Sequence, residues 1–229
     1  FGVGTLAVVT LRFQETVTRK NPRALQPATL FNTWRTIVRH PTFWSFSSLS
    51  VATYGGLFTF LAASSFIFIK VLHISKTQYG LVMFSMSFVY ILGTMACRRL
   101  LPQLGVRRTV ALAAAFSLTG GTLLGVLALA GVQSPWALIL PFHLYILAHG
   151  VHQPCSPSGA VGPFPYAAGA ASALNGFLMM VAAFAVGGWL GTHMDGTVKP
   201  LAYGVWFWSV LIALTSWTLV QRHGKTSER

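Results

Sequence analysis

The scarcity of carboxylates is the feature that most constrains what this chain can fold into. Among 229 residues there are three acidic side chains, and none of them lies inside a long apolar segment: Glu15, Asp195 and Glu228. Charged residues make up 8% of the chain and hydrophobic residues 54%, whereas a soluble domain carries about 25% charged residues. A soluble domain and a disordered chain are both excluded, and the sequence predicts an integral membrane protein.

Apolar segments of membrane-spanning length occur six times along the chain. At about 20 residues per helical span, we place the spans at residues 43–69, 78–97, 109–131, 135–155, 167–191 and 201–221. The predicted fold is therefore an all-α, polytopic bundle of six transmembrane helices over residues 43–221. Residues 1–42 are expected to form the end of a preceding helix and a basic loop, and residues 222–229 a basic tail.

The basic residues are divided unevenly between the two sides of the predicted bundle. With alternating spans, one side receives 13 lysines and arginines, and the other receives three, namely Lys70, Lys76 and Lys199. Positive residues concentrate on the cytoplasmic side, so both ends of the chain are expected to be cytoplasmic. Because the basic residues flank apolar runs and form no single stripe, the pattern argues against nucleic-acid binding. Cys97 and Cys155 then lie near the reducing cytoplasm, and we expect no disulfide.

The basic segment before the first span contains a short amphipathic pattern. Leu30, Trp34 and Ile37 or Val38 fall on one helical face, with two arginines elsewhere on the helix. This spacing is typical of a helix that lies on the membrane surface. Pro41 is expected to end it.

Three connecting or packing features are also predicted. Residues 98–108 carry arginine pairs at both ends and are expected to form a tight loop. Residues 154–165 contain four prolines in twelve positions, so we expect a loop there rather than a helix. Small residues recur every four positions in the fifth span, a pattern that lets a neighbouring helix backbone approach closely.

The titratable candidates at membrane depth are histidines, because no predicted span contains a carboxylate. The sequence also lacks a phosphate-binding glycine loop, a zinc-protease motif and a serine-hydrolase motif. His149 and His152 share one face of the fourth span, whereas His143 lies elsewhere on it. His149 and His152 each have two possible roles: the imidazole carries a proton or contacts substrate, or it packs in its neutral form. Two histidines lack the further ligands of a metal or haem site, and we expect no cofactor.

Two other polar residues complete the candidate site. Asn175 lies in the middle of the fifth span, where an amide must find a partner or face a water-filled path. Tyr54 lies at mid-depth in the first span and is able to stack on an apolar or cationic compound. We predict that Tyr54, His149 and Asn175 line a substrate path and that His149 and His152 titrate protons. Ordinary helix packing is the alternative for each.

Three segments carry a family resemblance, and they occur in the expected order. They are residues 164–176 (FPYAAGAASALNG), residues 39–43 (RHPTF) and Phe13–Val17 (FQETV). Together with the six-span layout, they resemble the C-terminal half of a major facilitator superfamily transporter, and most closely the Bcr/CflA type of drug-resistance exporter. One departure is the superfamily's Gly-x-x-x-Asp-Arg loop, where Cys97 stands at the position of the aspartate.

This resemblance implies a proton-driven exporter of small, chemically diverse compounds. Such a transporter has twelve helices in two six-helix bundles around a central cavity, and it is expected in the bacterial inner membrane. The implied partners of this chain are the lipid bilayer, protons, a small-molecule substrate and a missing N-terminal six-helix half. Phe1 lies within a short apolar run, which also suggests a chain that starts inside a longer one. The spans expected to face the cavity are 43–69, 78–97, 135–155 and 167–191.

Two other classes remain open from the sequence. One is a small membrane structural or assembly protein that is complete with six spans. The other is an intramembrane enzyme or haem protein that uses the histidines, and an absorbance spectrum would reveal haem. The transporter is our prediction, and we expect the protein not to be an enzyme.

Overall fold

A computed structural model describes residues 2–12 and 26–224. Every regular element within them is a helix, which confirms the all-α fold. The helices are α1 (Gly2–Arg12), α2 (Pro27–Arg39), α3 (Pro41–Phe66), α4 (Lys76–Leu129), α5 (Pro135–Val161), α6 (Ala168–His193), α7 (Lys199–Leu214) and α8 (Val220–His223). Two π-helical turns continue α3 and join α7 to α8: Ile67–Val71 and Thr215–Leu219.

Four continuous helical stretches are long and apolar enough to cross a membrane. They are Pro41–Val71, Lys76–Leu129, Pro165–His193 and Lys199–His223. The second of these bends into two arms. Helix α5 is not one of the four stretches; it has 27 residues and contains three prolines. All six predicted spans therefore fall on helices, as expected of a polytopic membrane protein.

The tight loop predicted over residues 98–108 is reduced to a sharp turn at one residue, Gly105, with helix on both sides of it. Gly105 has φ 70° and ψ 166°, a conformation that glycine adopts at little cost and other residues do not. The two arms, 76–104 and 106–129, then lead in opposite directions. Ile74 before the first arm and Pro135 after the second line the same cavity.

The prediction of a loop from Pro154 onward is wrong, because α5 continues as a helix to Val161. Proline removes one backbone hydrogen bond and disfavours an isolated helix, but membrane helices tolerate it where neighbouring helices support the backbone. Here Gly159 lies against the ring of Phe46 in α3, so closely that a Cβ atom would be 2.5 Å from that ring. The break comes only at Gly162–Phe164, before a 3₁₀ turn at Pro165–Ala167.

The two ends of the bundle differ in charge. Thr42 at the start of α3 donates a hydrogen bond to the carbonyl of His223, 2.9 Å away, and Arg107 donates to the carbonyl of Gln221. These contacts bring the start of α3, the bend in α4 and the end of α8 together at what we call the basic end. Its described arginines are Arg35, Arg39, Arg98, Arg99, Arg107, Arg108 and Arg222. The charged residues described toward the opposite end are Lys70, Lys76, Asp195 and Lys199.

The closest helix approach is between α4 and α5 and depends on two glycines. A Cβ atom on Gly93 would lie 2.1 Å from the carbonyl oxygen of Leu147, and one on Gly150 would lie 2.6 Å from that of Tyr90. The expected close approach at the small residues of the fifth span is not found within the described chain. A Cβ atom added to any glycine of α6 would have no heavy atom of a neighbouring helix within 4 Å; these glycines are Gly169, Gly176, Gly187, Gly188 and Gly191.

The predicted amphipathic segment is a helix, α2, which ends at Arg39 just before Pro41. Its apolar residues do not share one face as predicted, because Ile37 is fully buried while Trp34 and Val38 are exposed. The remaining predictions for the basic segment and the tail, including the Phe13–Val17 resemblance, lie outside the described residues.

Candidate functional site

A cavity of about 400 Å³ lies between α3, the first arm of α4 and α5. We call it the His149 cavity. Its size falls within the range of small-molecule sites in proteins. Its lining is Leu57, Phe60, Leu61, Met83, Met86, Ser87, Tyr90, Phe142, Ile146, His149 and Gln153. Most of these side chains are apolar or aromatic, and the four polar ones come from two helices.

His149 is the central polar group of this cavity. The residue is 4% exposed, and its Nδ1 has no hydrogen-bond partner among the described residues. The Tyr90 ring lies beside it, with ring centroids 5.9 Å apart and planes tilted by 41°. Buried polar groups without partners are uncommon in folded proteins. An imidazole held in this way is able to accept a hydrogen bond from a bound compound or to exchange a proton with it.

His152 lies one turn further along α5 and is fully buried. Neither of its ring nitrogens has a hydrogen-bond partner in the described part of the chain. Its burial follows from the length of α5, which continues for nine residues beyond His152, to Val161. His152 does not line the His149 cavity.

Tyr54 lies on the same face of α3 as Leu57 and Leu61, which line the cavity. Its side chain is half-buried and stacks on Phe58, with ring centroids 6.2 Å apart. Tyr54 therefore flanks the cavity without lining it in this conformation.

Asn175 lies in another interface. It is 3% exposed and belongs to the buried stripe of α6, the helix that packs mainly on α3. Its Nδ2 lies 3.7 Å from the Met179 sulfur, and its Oδ1 has no partner among the described residues. The structure thus separates the three candidates: His149 is in the cavity, Tyr54 is beside it, and Asn175 is buried on α6, away from the cavity lining.

His143 provides an internal comparison, because it is a histidine of the same helix with both nitrogens engaged. Its Nε2 is 3.1 Å from the Ser85 hydroxyl, and its Nδ1 is 2.6 Å from the Ile139 carbonyl. It lines a separate cavity of about 500 Å³ near the opposite end of the bundle. This histidine has the ordinary packed environment that His149 lacks.

Three stacked aromatic residues hold the helices around the cavity together. Phe60 and Phe142 stack with centroids 3.6 Å apart, and Tyr145 stacks on Phe142 at 5.3 Å. All three are fully buried, and the Tyr145 hydroxyl donates to the Thr53 carbonyl at 3.1 Å. They connect α3 to α5, and Phe60 and Phe142 also form part of the cavity wall.

Sequence reasoning missed Tyr90, Ser87 and Gln153 as cavity residues. Each is an ordinary residue of a membrane helix. The packing of α4 on α5 places Tyr90 and Ser87 beside His149, whereas Gln153 follows His149 by one turn of α5. The close contact between Gly93 and Gly150 cannot be recognised as a local sequence motif either, because the two residues belong to different helices. Within the described residues, no group of three or more histidine, cysteine or acidic side chains is arranged to hold a metal ion.

Comparison with known proteins gives one match. The family model described as "Major Facilitator Superfamily" matches residues 1–188, which include α3, α4, α5 and most of α6. The His149 cavity thus lies entirely within the matched region. No curated protein and no solved structure matches the chain.

Proposed function

We propose, because the chain belongs to the Major Facilitator Superfamily of membrane transporters, that it forms one half of a proton-coupled exporter of small drug-like compounds. The proposed subtype is the Bcr/CflA type of exporter, on the sequence resemblance alone. The membrane is the bacterial inner membrane, with the basic end on the cytoplasmic side.

The observation that carries this proposal is the His149 cavity. A compound that enters it meets apolar and aromatic walls with a few polar groups, which suits apolar or cationic molecules of varied shape. The cavity lies between helices rather than inside one loop, so helix movement changes its access. In the proposed path, Tyr54 and Asn175 line the route next to this cavity and His149 contacts the compound.

Proton coupling is assigned to the histidines because the described membrane helices carry no carboxylate. Imidazole is the side chain that exchanges a proton near neutral pH without special perturbation. His149 is the preferred group, because it faces a cavity through which a proton can arrive. His152 lies one turn away and is the second candidate.

A second six-helix bundle is proposed as the partner that closes the path. The stretch containing α6 is the least buried of the four candidate spans, and Gly169, Gly176 and Gly188 have no heavy atom of the described chain within 4 Å of an added Cβ. A surface of small residues allows close packing of a further helix. Alternating access in such transporters moves one bundle against the other, so this chain alone is expected not to transport.

The test compares two histidines of one helix in the full-length transporter. His149→Gln removes the titratable group from the cavity, and the matched control, His143→Gln, removes a histidine whose nitrogens already have partners. We expect His149→Gln to reduce export and to flatten its dependence on pH between about 5 and 8, with the control near the parent. Both proteins are first checked for membrane expression.

Two outcomes contradict the proposal. If His149→Gln exports a substrate panel like the parent at every pH, the cavity is not the coupled path. If the two variants lose export equally, the loss reflects α5 packing rather than the cavity. Tyr54→Ala and Asn175→Ala are scored on substrate profile, since a changed profile identifies a path residue and a uniform loss identifies a packing residue.

A further inference from the structure

Helix α2 has two apolar faces, and the bundle covers one of them. Ile37 is fully buried and Leu30 is partly buried against the protein. Phe31, Trp34 and Val38 follow the spacing i, i+3, i+7 and are 67%, 48% and 41% exposed. At about 100° per residue they form a second stripe roughly 100° around the helix from Ile37. No other part of the described chain covers this stripe.

Two arginines lie next to the exposed stripe. Arg35 and Arg39 are one turn apart and fall beside Phe31 on the helix circumference. Neither has a hydrogen bond or an ion pair with the described residues. The one carboxylate described, Asp195, lies toward the opposite end of the bundle. Arg39 also lies in the last turn, where the helix dipole favours a cation, but this does not account for Arg35.

The position of α2 places these groups at the level of a membrane interface. The membrane-spanning α3 begins at Pro41, two residues after α2 ends. The indole of Trp44 in α3 donates a hydrogen bond to the Val38 carbonyl and so fixes the end of α2 beside the start of the span. Trp44 is itself 42% exposed. Exposed tryptophans such as Trp34 and Trp44 are typical of the lipid headgroup region.

We propose that α2 lies in the headgroup layer at the basic end and binds anionic phospholipid. Phe31, Trp34 and Val38 insert toward the acyl chains, and Arg35 and Arg39 bind lipid phosphates. A guanidinium matches a phosphate with two parallel hydrogen bonds, and no carboxylate of the described residues pairs with either group. Going around the helix, successive faces therefore meet the protein, the acyl chains, the lipid phosphates and water. Asn32 and Thr36 lie on the face that meets water. This site does not depend on the proposed substrate or on proton coupling.

The experiment measures which lipid lies next to α2. A bimane fluorophore is attached at Val38→Cys in the full chain, with Cys97 and Cys155 replaced by alanine. The protein is reconstituted in phosphatidylcholine or in an equal mixture with phosphatidylglycerol, with one of the two lipids brominated. Quenching by each brominated lipid gives the relative association of the anionic lipid at this site. The water-side reporter, Thr36→Cys, is expected to be quenched weakly by both.

We expect phosphatidylglycerol to be preferred at Val38 and the preference to fall as salt is added. One arginine near an anionic surface changes association about fivefold, so Arg35→Gln/Arg39→Gln is expected to lower the preference by up to about 30-fold at low salt. The matched control, Arg98→Gln/Arg99→Gln, removes the same charge from the same end of the bundle and is expected to retain most of it.

Three results overturn the proposal. Equal quenching by the two lipids shows an interfacial helix without anionic selectivity. No quenching by either lipid shows that water, another copy or another protein segment covers the stripe. Equal losses in the two double variants show that total charge, and not α2, attracts the lipid. The quenching comparison at Val38 needs neither double variant, so it tests the site even if one of them fails to fold.

Discussion

Replacing Gly93 with alanine is expected to force α4 and α5 apart. The new Cβ would lie 2.1 Å from the Leu147 carbonyl oxygen and 3.2 Å from the Cα of Gly150. Both neighbours are backbone atoms of α5, so a side-chain rotation cannot relieve the overlap. An ordinary carbon–oxygen contact is near 3.2 Å or more, and α5 must therefore move by about 1 Å.

The expected cost follows from overpacking a close-packed interior. Such substitutions destabilise proteins by about 1–3 kcal/mol. Gly80→Ala, on the exposed side of the same helix, has no heavy atom within 4 Å of its Cβ. This control is expected to stabilise the protein by about 0.5–1 kcal/mol, because alanine loses less conformational entropy in a helix. One substitution type on one helix thus gives opposite signs, with a difference of about 1.5–4 kcal/mol.

Thermal unfolding of the purified variants in detergent measures the difference. For a chain of this size, a shift of about 2–4 °C per kcal/mol separates the two midpoints by about 3–16 °C. Export in the full-length transporter is the second readout, because Gly150 adjoins His149 and touches the backbone of Tyr90. Movement of α5 separates these two cavity residues, so Gly93→Ala is expected to lower export while Gly80→Ala preserves it.

The reasoning fails if the two variants unfold at the same temperature. That result would mean that α4 and α5 are further apart than the Gly93 contact requires. A destabilised Gly93→Ala protein with unchanged export would keep the packing argument and remove the cavity from the transport path.

Three further predictions use other local features. The sulfurs of Cys97 and Cys155 are 3.6 Å apart, so copper–phenanthroline oxidation is expected to remove both free thiols from the monomer, and Cys97→Ser is expected to prevent the loss of the other. Gly105→Ala is expected to cost about 1–3 kcal/mol in thermal unfolding, because φ 70° and ψ 166° lie in a region essentially restricted to glycine. Hydrogen bonds from the Thr197 hydroxyl and backbone N–H hold the pKa of Asp195 below its usual range. Thr197→Val is expected to raise this pKa. The variant should therefore unfold at a lower temperature than the parent above about pH 4, and the difference should disappear as acid protonates the carboxyl. Thermal midpoints measured across pH test this.

The long apolar runs were sufficient to predict the fold class. A run of about 20 apolar residues with no carboxylate has few stable alternatives to a membrane helix, and every predicted span is helical in the structure. The arginine-rich segments also gather at one end, as the contact of Thr42 with His223 shows. These properties depend on composition over long windows, so a local error does not change them.

The loops and the site were harder to predict because they depend on neighbouring helices. Pro154 breaks an isolated helix in water, but α5 remains helical where it packs against α3. Small residues in the fifth span were expected to permit close approach, but the approach occurs at Gly93 and Gly150 instead. His149 was identifiable as a buried titratable residue, whereas Tyr90 joins it only through the α4–α5 contact.

The uneven packing of the bundle bears on how a path opens in the proposed transporter. Helices α4 and α5 meet backbone to backbone at Gly93 and Gly150, and stacked aromatic rings join α5 to α3. These three helices form the wall of the His149 cavity, and we expect them to move as one unit, because separating them breaks many contacts at once. Helix α6 instead packs along one stripe and leaves a groove against α3, where Gly187 and Gly191 face Ala62 and Ala63. Opening is therefore expected along α6, between this unit and the proposed second bundle, which leaves the environment of His149 intact while access to it changes.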